Sequence, residues 1–168
     1  MRHVNLQLLW VFARQDLVDR YAASLLGGFW TLINPLVQIL IYTLIFSKVM
    51  GARLAGLGVA YDEYSYSIYL VPGVLFWMAF GNTLTRVSTV YLDKAGLIGK
   101  VSLSLRALPL YIVLSETLVF AFSIFLFLLF LLIVGFPLSA HWWWLIPIYL
   151  VQQLLAYSLG FGCAILGV

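Results

Sequence analysis

The sequence predicts an all-α fold: a polytopic membrane helix bundle of about four transmembrane helices, preceded by an N-terminal interfacial helix. Of the 168 residues, 64% are hydrophobic and only 9% are charged, and the mean hydropathy is +1.08. A typical soluble domain is about 45–50% apolar and about 25% charged. Because a soluble fold must cover its surface with polar groups, this composition excludes a soluble globular domain, and it equally excludes a disordered chain or a coiled coil.

The first element is a helix over about residues 4–21, a segment without proline or glycine. At 100° per residue it shows two apolar stripes, with Asp16 and Arg20 between them on one side and Arg14 on the other. The stripes consist of Leu6, Trp10, Ala13, Leu17 and Tyr21, and of Val4, Leu8, Val11 and Val18. Since an interfacial anchor needs one apolar face, we expect one stripe to face lipid and the other to pack on protein. A simple membrane-surface helix is the alternative.

Four segments are long and apolar enough to cross a bilayer, which takes about 20 residues. They are residues 28–47, 67–84, 108–134 and 145–168. No charged residue occurs between Thr117 and Val168, a stretch long enough for two passes. Gly135 and Pro137 mark the turn between those passes.

The basic residues predict the orientation, because short cytoplasmic loops carry an excess of lysine and arginine. Seven of the nine lie in the N-terminal segment and in the loop between the second and third spans. These are Arg2, Arg14, Arg20, Arg86, Lys94, Lys100 and Arg106, whereas Lys48 and Arg53 lie between the first and second spans. The N-terminus and the middle loop are therefore predicted to be cytoplasmic.

A motif at the start of the chain resembles a known family. The pattern contains Asp16-Leu17, Arg20-Tyr21, Ser24, Leu26-Gly27 and Trp30, followed by Asn34-Pro35-Leu36, Tyr42 and Phe46. It resembles the start of ABC-2 type permeases, and more narrowly of those that export bacterial surface polysaccharides such as O-antigen, capsule and teichoic acid. The resemblance implies that the first segment is an interfacial gate helix, with Trp10, Arg14, Asp16, Arg20 and Tyr21 as its functional residues. Family members are usually basic where this chain has Val18, Asp19 and Ala22.

The middle loop, about residues 92–101, resembles the coupling segment of the same family. The resemblance rests on Leu97-Ile98-Gly99-Lys100-Val101 and on Arg106-Ala107-Leu108-Pro109-Leu110. It implies that a short helix parallel to the membrane docks on an ATPase subunit through Lys94, Leu97, Ile98, Gly99 and Lys100. The alternative is that the loop only carries the positive charge expected on the cytoplasmic side.

Nothing in the sequence predicts catalysis or nucleotide binding by this chain. The glycines from Gly96 to Gly99 lack the spacing of a phosphate-binding loop. His3 and His141 stand alone near the two surfaces, so no metal site is expected. We therefore expect no cofactor on this chain, with ATP and Mg²⁺ bound by a separate ATPase chain, and no contact with nucleic acid.

Two features inside the spans remain. Glu116 is an ionisable residue within a span, which makes it a candidate functional residue by default. We favour a structural hydrogen bond across helices, helped by Ser115 or Thr117, over a proton or substrate contact. Ala156, Gly160 and Ala164 recur every four residues in the fourth span, a spacing that predicts a helix-packing face.

Taken with the resemblance, these features predict a permease subunit of an ATP-driven exporter in the bacterial cytoplasmic membrane. Its expected partners are an ABC ATPase subunit, a second permease copy in a homodimer, a lipid-linked polysaccharide and membrane lipids. An ABC-2 permease for a small lipid or drug is one alternative. A non-transporting, truncated membrane subunit is another, because the family usually has six spans and four are predicted here.

Overall fold

The computed structural model describes residues 6–20, 30–51, 63–98 and 107–167, and within these ranges all regular structure is helical. The longer helices are α1 (Leu6–Asp19), α2 (Trp30–Thr43), α3 (Ser65–Asp93), α5 (Ala107–Val134) and α6 (Leu145–Leu166), and α4 (Ala95–Ile98) is a single turn. A π-helix (Leu44–Val49) extends α2, and a 3₁₀ turn (Ala140–Trp144) precedes α6. The predicted all-α membrane helix bundle is confirmed.

Three helical segments are long and apolar enough to cross a membrane: Ser65–Asp93, Leu108–Val134 and His141–Leu166. The described part of the first predicted span contains a shorter apolar helix, Ile33–Val49. At about 1.5 Å per residue, its seventeen residues extend over about 25 Å, slightly less than the hydrocarbon thickness of about 30 Å.

Helix α3 continues nine residues beyond residue 84, where the predicted span ended. Arg86 was predicted to lie in a cytoplasmic loop, but it lies inside the helix. The helix tolerates this charge within the bundle because Arg86 forms ion pairs with two carboxylates. The apolar segment thus marks the minimum length of the helix and not its end.

Helix α3 contacts α2, α5 and α6 and forms the centre of the bundle. One core cluster joins these helices: Ile39 of α2, Ile68, Val71, Leu75 and Ala79 of α3, Phe120, Phe127 and Leu131 of α5, and Tyr149 of α6. A second cluster consists of Leu9, Val87, Val90, Leu108, Tyr111 and Ile112. Because Leu9 belongs to α1, the N-terminal helix is part of the bundle core.

The side of α1 that packs on protein differs from both predicted apolar stripes. Leu9 and Ala13 are buried, and the Phe12 ring lies 5.9 Å from the Tyr111 ring between centroids. Trp10 was grouped with Ala13 but is 52% exposed. The helix turns this way because Asp16, which was expected to separate the stripes, faces the bundle and binds arginine.

The small residues of α6 are buried, and Gly160 among them packs closely on α3. Ala156, Gly160 and Ala164 are all buried. A Cβ atom built on Gly160 would lie 2.9 Å from Val87 Cβ and 3.0 Å from the Leu84 carbonyl oxygen, which is closer than real Cβ contacts. Glycine at this position is what allows the two backbones to approach so closely.

Candidate functional site

Four charged side chains from three helices meet where α1 packs on α3 and α5. Asp16 comes from the last turn of α1, Arg20 directly follows that helix, Arg86 comes from α3 and Glu116 from α5. Arg20 Nη2 donates to Glu116 Oε1 at 2.7 Å and to Asp16 Oδ2 at 3.1 Å. Arg86 Nη1 donates to the same Glu116 oxygen at 2.8 Å, and Arg86 Nη2 donates to Asp16 Oδ1. We call these four residues the charge cluster.

Glu116 is the buried centre of the charge cluster, with only 1% of its surface exposed. The neighbouring Ser115 hydroxyl accepts hydrogen bonds from Arg20 at 3.0 Å and from Arg86 at 3.4 Å. Ser115 therefore assists, as one of the sequence-based alternatives proposed. Thr117 does not: it donates to the Val113 carbonyl oxygen on its own helix. The hydrogen bonds that Glu116 accepts come from the guanidinium groups of Arg20 and Arg86, so each of them is also an ion pair.

The charge cluster has no net charge, because two carboxylates face two guanidinium groups. Burial raises the pKa of Asp16, but its hydrogen bond and charge attraction to Arg86, together with the charge of Arg20, lower the pKa below its ordinary value of 3.8. A lowered carboxyl pKa means that the ionised form stabilises the packing of α1 above the ordinary pKa. That contribution is lost only as the pH falls through the lower, folded-state pKa.

A cavity of about 110 Å³ lies against this cluster, between α2, α3 and α5. Its polar lining comes from Arg20, Asn34, Gln38, Asn82, Glu116 and Ser123, and its apolar lining from Pro35, Leu75, Met78, Ala79, Val119 and Phe120. A water molecule needs about 10–15 Å³ of such volume and two to four polar partners. The polar cavity can therefore hold several water molecules within the bundle.

A second, more apolar groove adjoins the polar cavity on the face shared by α2 and α3. Its volume is about 500 Å³, and it is lined by Tyr42, Tyr69, Leu70, Gly73, Val74, Trp77 and Met78. Met78 lines both spaces. Tyr69 is 70% exposed and Trp77 is 72% exposed. The two spaces together present a face that is aromatic towards the start of α3 and polar towards its middle.

The remaining predicted site residues lie apart from the charge cluster or outside the described residues. Trp10 and Arg14 are on the exposed side of α1. Lys94 caps the C-terminal end of α3, and the backbone of Leu97 and Ile98 lies in α4. Tyr21, Gly99 and Lys100 fall outside the residues that the structure describes.

Sequence reasoning missed Arg86 as a functional residue. It was read as one of several positive charges on the cytoplasmic side. The signal that could have found it is the absence of proline or glycine between Asn82 and Lys94, which allows the helix to continue past the apolar segment and to place Arg86 among the carboxylates.

The comparisons with known proteins agree with this architecture. A family model described as ABC-2 type transporter matches residues 7–168. Two proteins of Klebsiella pneumoniae named O-antigen export system permease protein RfbA are each 30% identical over 148 residues, which is 88% of this chain and 54% of the relative. A protein of the same name from Myxococcus xanthus is 26% identical over 117 residues, covering 70% of this chain and 42% of the relative.

The chain spans about half the length of the curated relatives it matches. Its helices, several of them apolar and long enough to cross a bilayer, make it a multi-pass membrane protein. Because the family match extends over nearly the whole sequence, the chain belongs to the ABC-2 type transporter family.

Proposed function

We propose that this chain is a permease subunit of an ATP-driven exporter that moves a lipid-linked surface polysaccharide outward across the bacterial cytoplasmic membrane. The observation that carries the proposal is its 30% identity to permeases named for O-antigen export, over 88% of its length. In this proposal the N-terminus is cytoplasmic, and a second permease copy completes the transport pathway.

The energy source is an ABC ATPase on separate chains, which binds ATP and Mg²⁺, while this chain binds no cofactor. The proposed docking segment consists of Lys94, Leu97, Ile98, Gly99 and Lys100. Its helix α4 follows α3 with only Lys94 between them. Since α3 carries Arg86 of the charge cluster, a movement of α4 is passed along a rigid helix to α1 and α5.

The aromatic groove supports an amphipathic substrate. Exposed Tyr69 and Trp77 offer flat faces on which a sugar ring can stack, and Gly73 between them leaves room for it. The adjoining polar cavity supplies the amides of Asn34 and Asn82 for hydroxyl groups. A second copy placed on this face would enclose a path with both kinds of lining.

Transport can be tested by returning the full-length protein to a strain that lacks it. We expect surface polysaccharide to be restored, and Trp77→Ala to lower export about two- to tenfold, because one aromatic contact contributes about 0.5–1.5 kcal/mol. Trp143→Ala is the matched control, since Trp143 is 73% exposed but lies outside the groove. Polysaccharide that reaches the surface normally without the protein would refute the proposal. If the strain that lacks the protein instead fails to export a small lipid or a drug, the substrate class would have to be changed.

The docking segment is tested separately by Ile98→Asp. A charge in an apolar contact with the ATPase should uncouple ATP hydrolysis from export and reduce export at least tenfold. The variant should still insert into the membrane at the wild-type level. Normal export by this variant would remove Ile98 from the proposed docking surface.

A further inference from the structure

The charge cluster can be divided into two pairs that are each neutral and each already bonded. At the C-terminal end of α1, Arg20, the residue that follows the helix, donates from Nη2 to Asp16 Oδ2 at 3.1 Å and from Nε to the same oxygen at 3.2 Å. Within the bundle, Arg86 of α3 binds Glu116 of α5 at 2.8 Å. The contacts that join the pairs are Arg20 to Glu116 at 2.7 Å and Arg86 to Asp16.

We propose that the charge cluster is a latch that lets α1 leave the bundle and return without leaving an unpaired charge behind. An isolated charge inside a protein or a membrane costs several kcal/mol. A helix held by one ordinary ion pair would leave such a charge on each side when it detached. Here the α1 pair departs as one neutral unit, and the Arg86–Glu116 pair remains as another.

Two further observations fit a helix that detaches. The polar cavity is lined by Arg20 and Glu116, which form one of the two contacts that must part, and it has room for water beside them. The side of α1 that faces away from the bundle carries exposed apolar side chains beside polar ones such as Arg14 and Gln15: Trp10, Val11 and Val18 are each more than half exposed. Apolar side chains on this outer face keep a detached α1 at the membrane interface, where it can dock again.

The position of α1 can be measured by the chemical accessibility of Ala13, which is fully buried on the docked helix. Ala13→Cys is introduced into the full-length protein after the exposed Cys163 is replaced by alanine. Labelling by a charged maleimide is followed in permeabilised native membranes, so that the orientation of the protein does not matter. Gln15→Cys is the control, because Gln15 is exposed on the same helix.

The decisive variants exchange charges within the pairs. In R86E/E116R the bundle pair stays neutral but presents the wrong sign to α1. We expect the protein to insert normally and Ala13→Cys to be labelled at least tenfold faster, with no change at Gln15→Cys. Adding D16R/R20D to the same protein exchanges both pairs, restores attraction between them and should return labelling to near the unexchanged rate.

Each outcome decides the proposal. Two results would show that packing and not charge holds α1. One is an unchanged labelling rate in R86E/E116R, and the other is fast labelling that persists in the variant with all four residues exchanged. If either variant failed to accumulate in the membrane, the two ion pairs would not be stable independently of each other, which would contradict the proposal. The role of the latch in export rests on the proposed function. The labelling experiment needs neither ATPase nor substrate, so it stands if that function is wrong.

Discussion

Two helix contacts of this bundle are built in opposite ways. Where α1 meets α3 and α5, apolar packing of Leu9 and Ala13 is combined with the four residues of the charge cluster beside a polar cavity. Where α6 meets α3, the close backbone approach depends on Gly160, and Ala156 and Ala164 are buried one turn to either side of it on α6. The first contact can exchange partners or water, whereas the second is lost with any separation of the helices. We infer that α3 and α6 form the fixed part of the bundle and that α1 is the part able to move.

Removing one charge from the charge cluster should have the largest effect. Glu116→Gln leaves Arg20 and Arg86 facing Asp16 alone, with one positive charge uncompensated. Breaking a buried ion pair on one side costs about 3–5 kcal/mol, so we expect the free energy of unfolding to fall by about that amount. Denaturant titration of the purified protein in detergent measures the change.

Glu63→Gln is the matched control. Glu63 pairs with Lys48, but both side chains are about half exposed, and an exposed ion pair contributes little to stability. If the two glutamine variants were equally stable, the charge cluster would hold the bundle no more strongly than a surface ion pair.

The contact between α3 and α6, here called the fixed contact, should be sensitive to the volume of the side chains in it and not to their charge. Gly160→Val places a branched side chain where even a Cβ atom would lie 2.9 Å from Val87 Cβ and 3.0 Å from backbone. Overpacking of this kind costs about 1–3 kcal/mol, measurable by the same titration. Gly162→Val is the control, since no atom lies within 4 Å of a Cβ atom built there. If the free energy of unfolding fell equally in the two variants, the helix propensity of valine, and not the contact with α3, would explain the effect.

The two contacts also differ in how far the sequence predicted them. Apolar length predicted the membrane helices, and the four-residue spacing of Ala156, Gly160 and Ala164 lies within one helix, so a local pattern can show it. The charge cluster joins residues 70 and 96 positions apart. Asp16 and Glu116 were singled out, but their partner Arg86 was not, because only the tertiary packing of α1 brings the three together.

A smaller effect is expected from the polar chain that ties α6 to α5 beside the fixed contact. Gln153 Nε2 donates to the Tyr149 hydroxyl at 2.8 Å, and that hydroxyl donates to Thr117 Oγ1 at 3.1 Å. Tyr149→Phe removes both hydrogen bonds but keeps the ring, which stacks on Phe120 at a centroid distance of 4.0 Å.

A hydrogen bond between membrane helices contributes about 0.6 kcal/mol on average, and only the bond to Thr117 joins two helices, so we expect Tyr149→Phe to lower the free energy of unfolding by about 0.6 kcal/mol. The exposed Tyr69→Phe is the control and should leave the free energy of unfolding nearly unchanged, because Tyr69 is 70% exposed. Ala13→Cys labelling should stay at its slow rate in Tyr149→Phe, because the fixed contact does not hold α1. Faster labelling in this variant would show that the two contacts are coupled and that α1 does not move independently of the rest of the bundle.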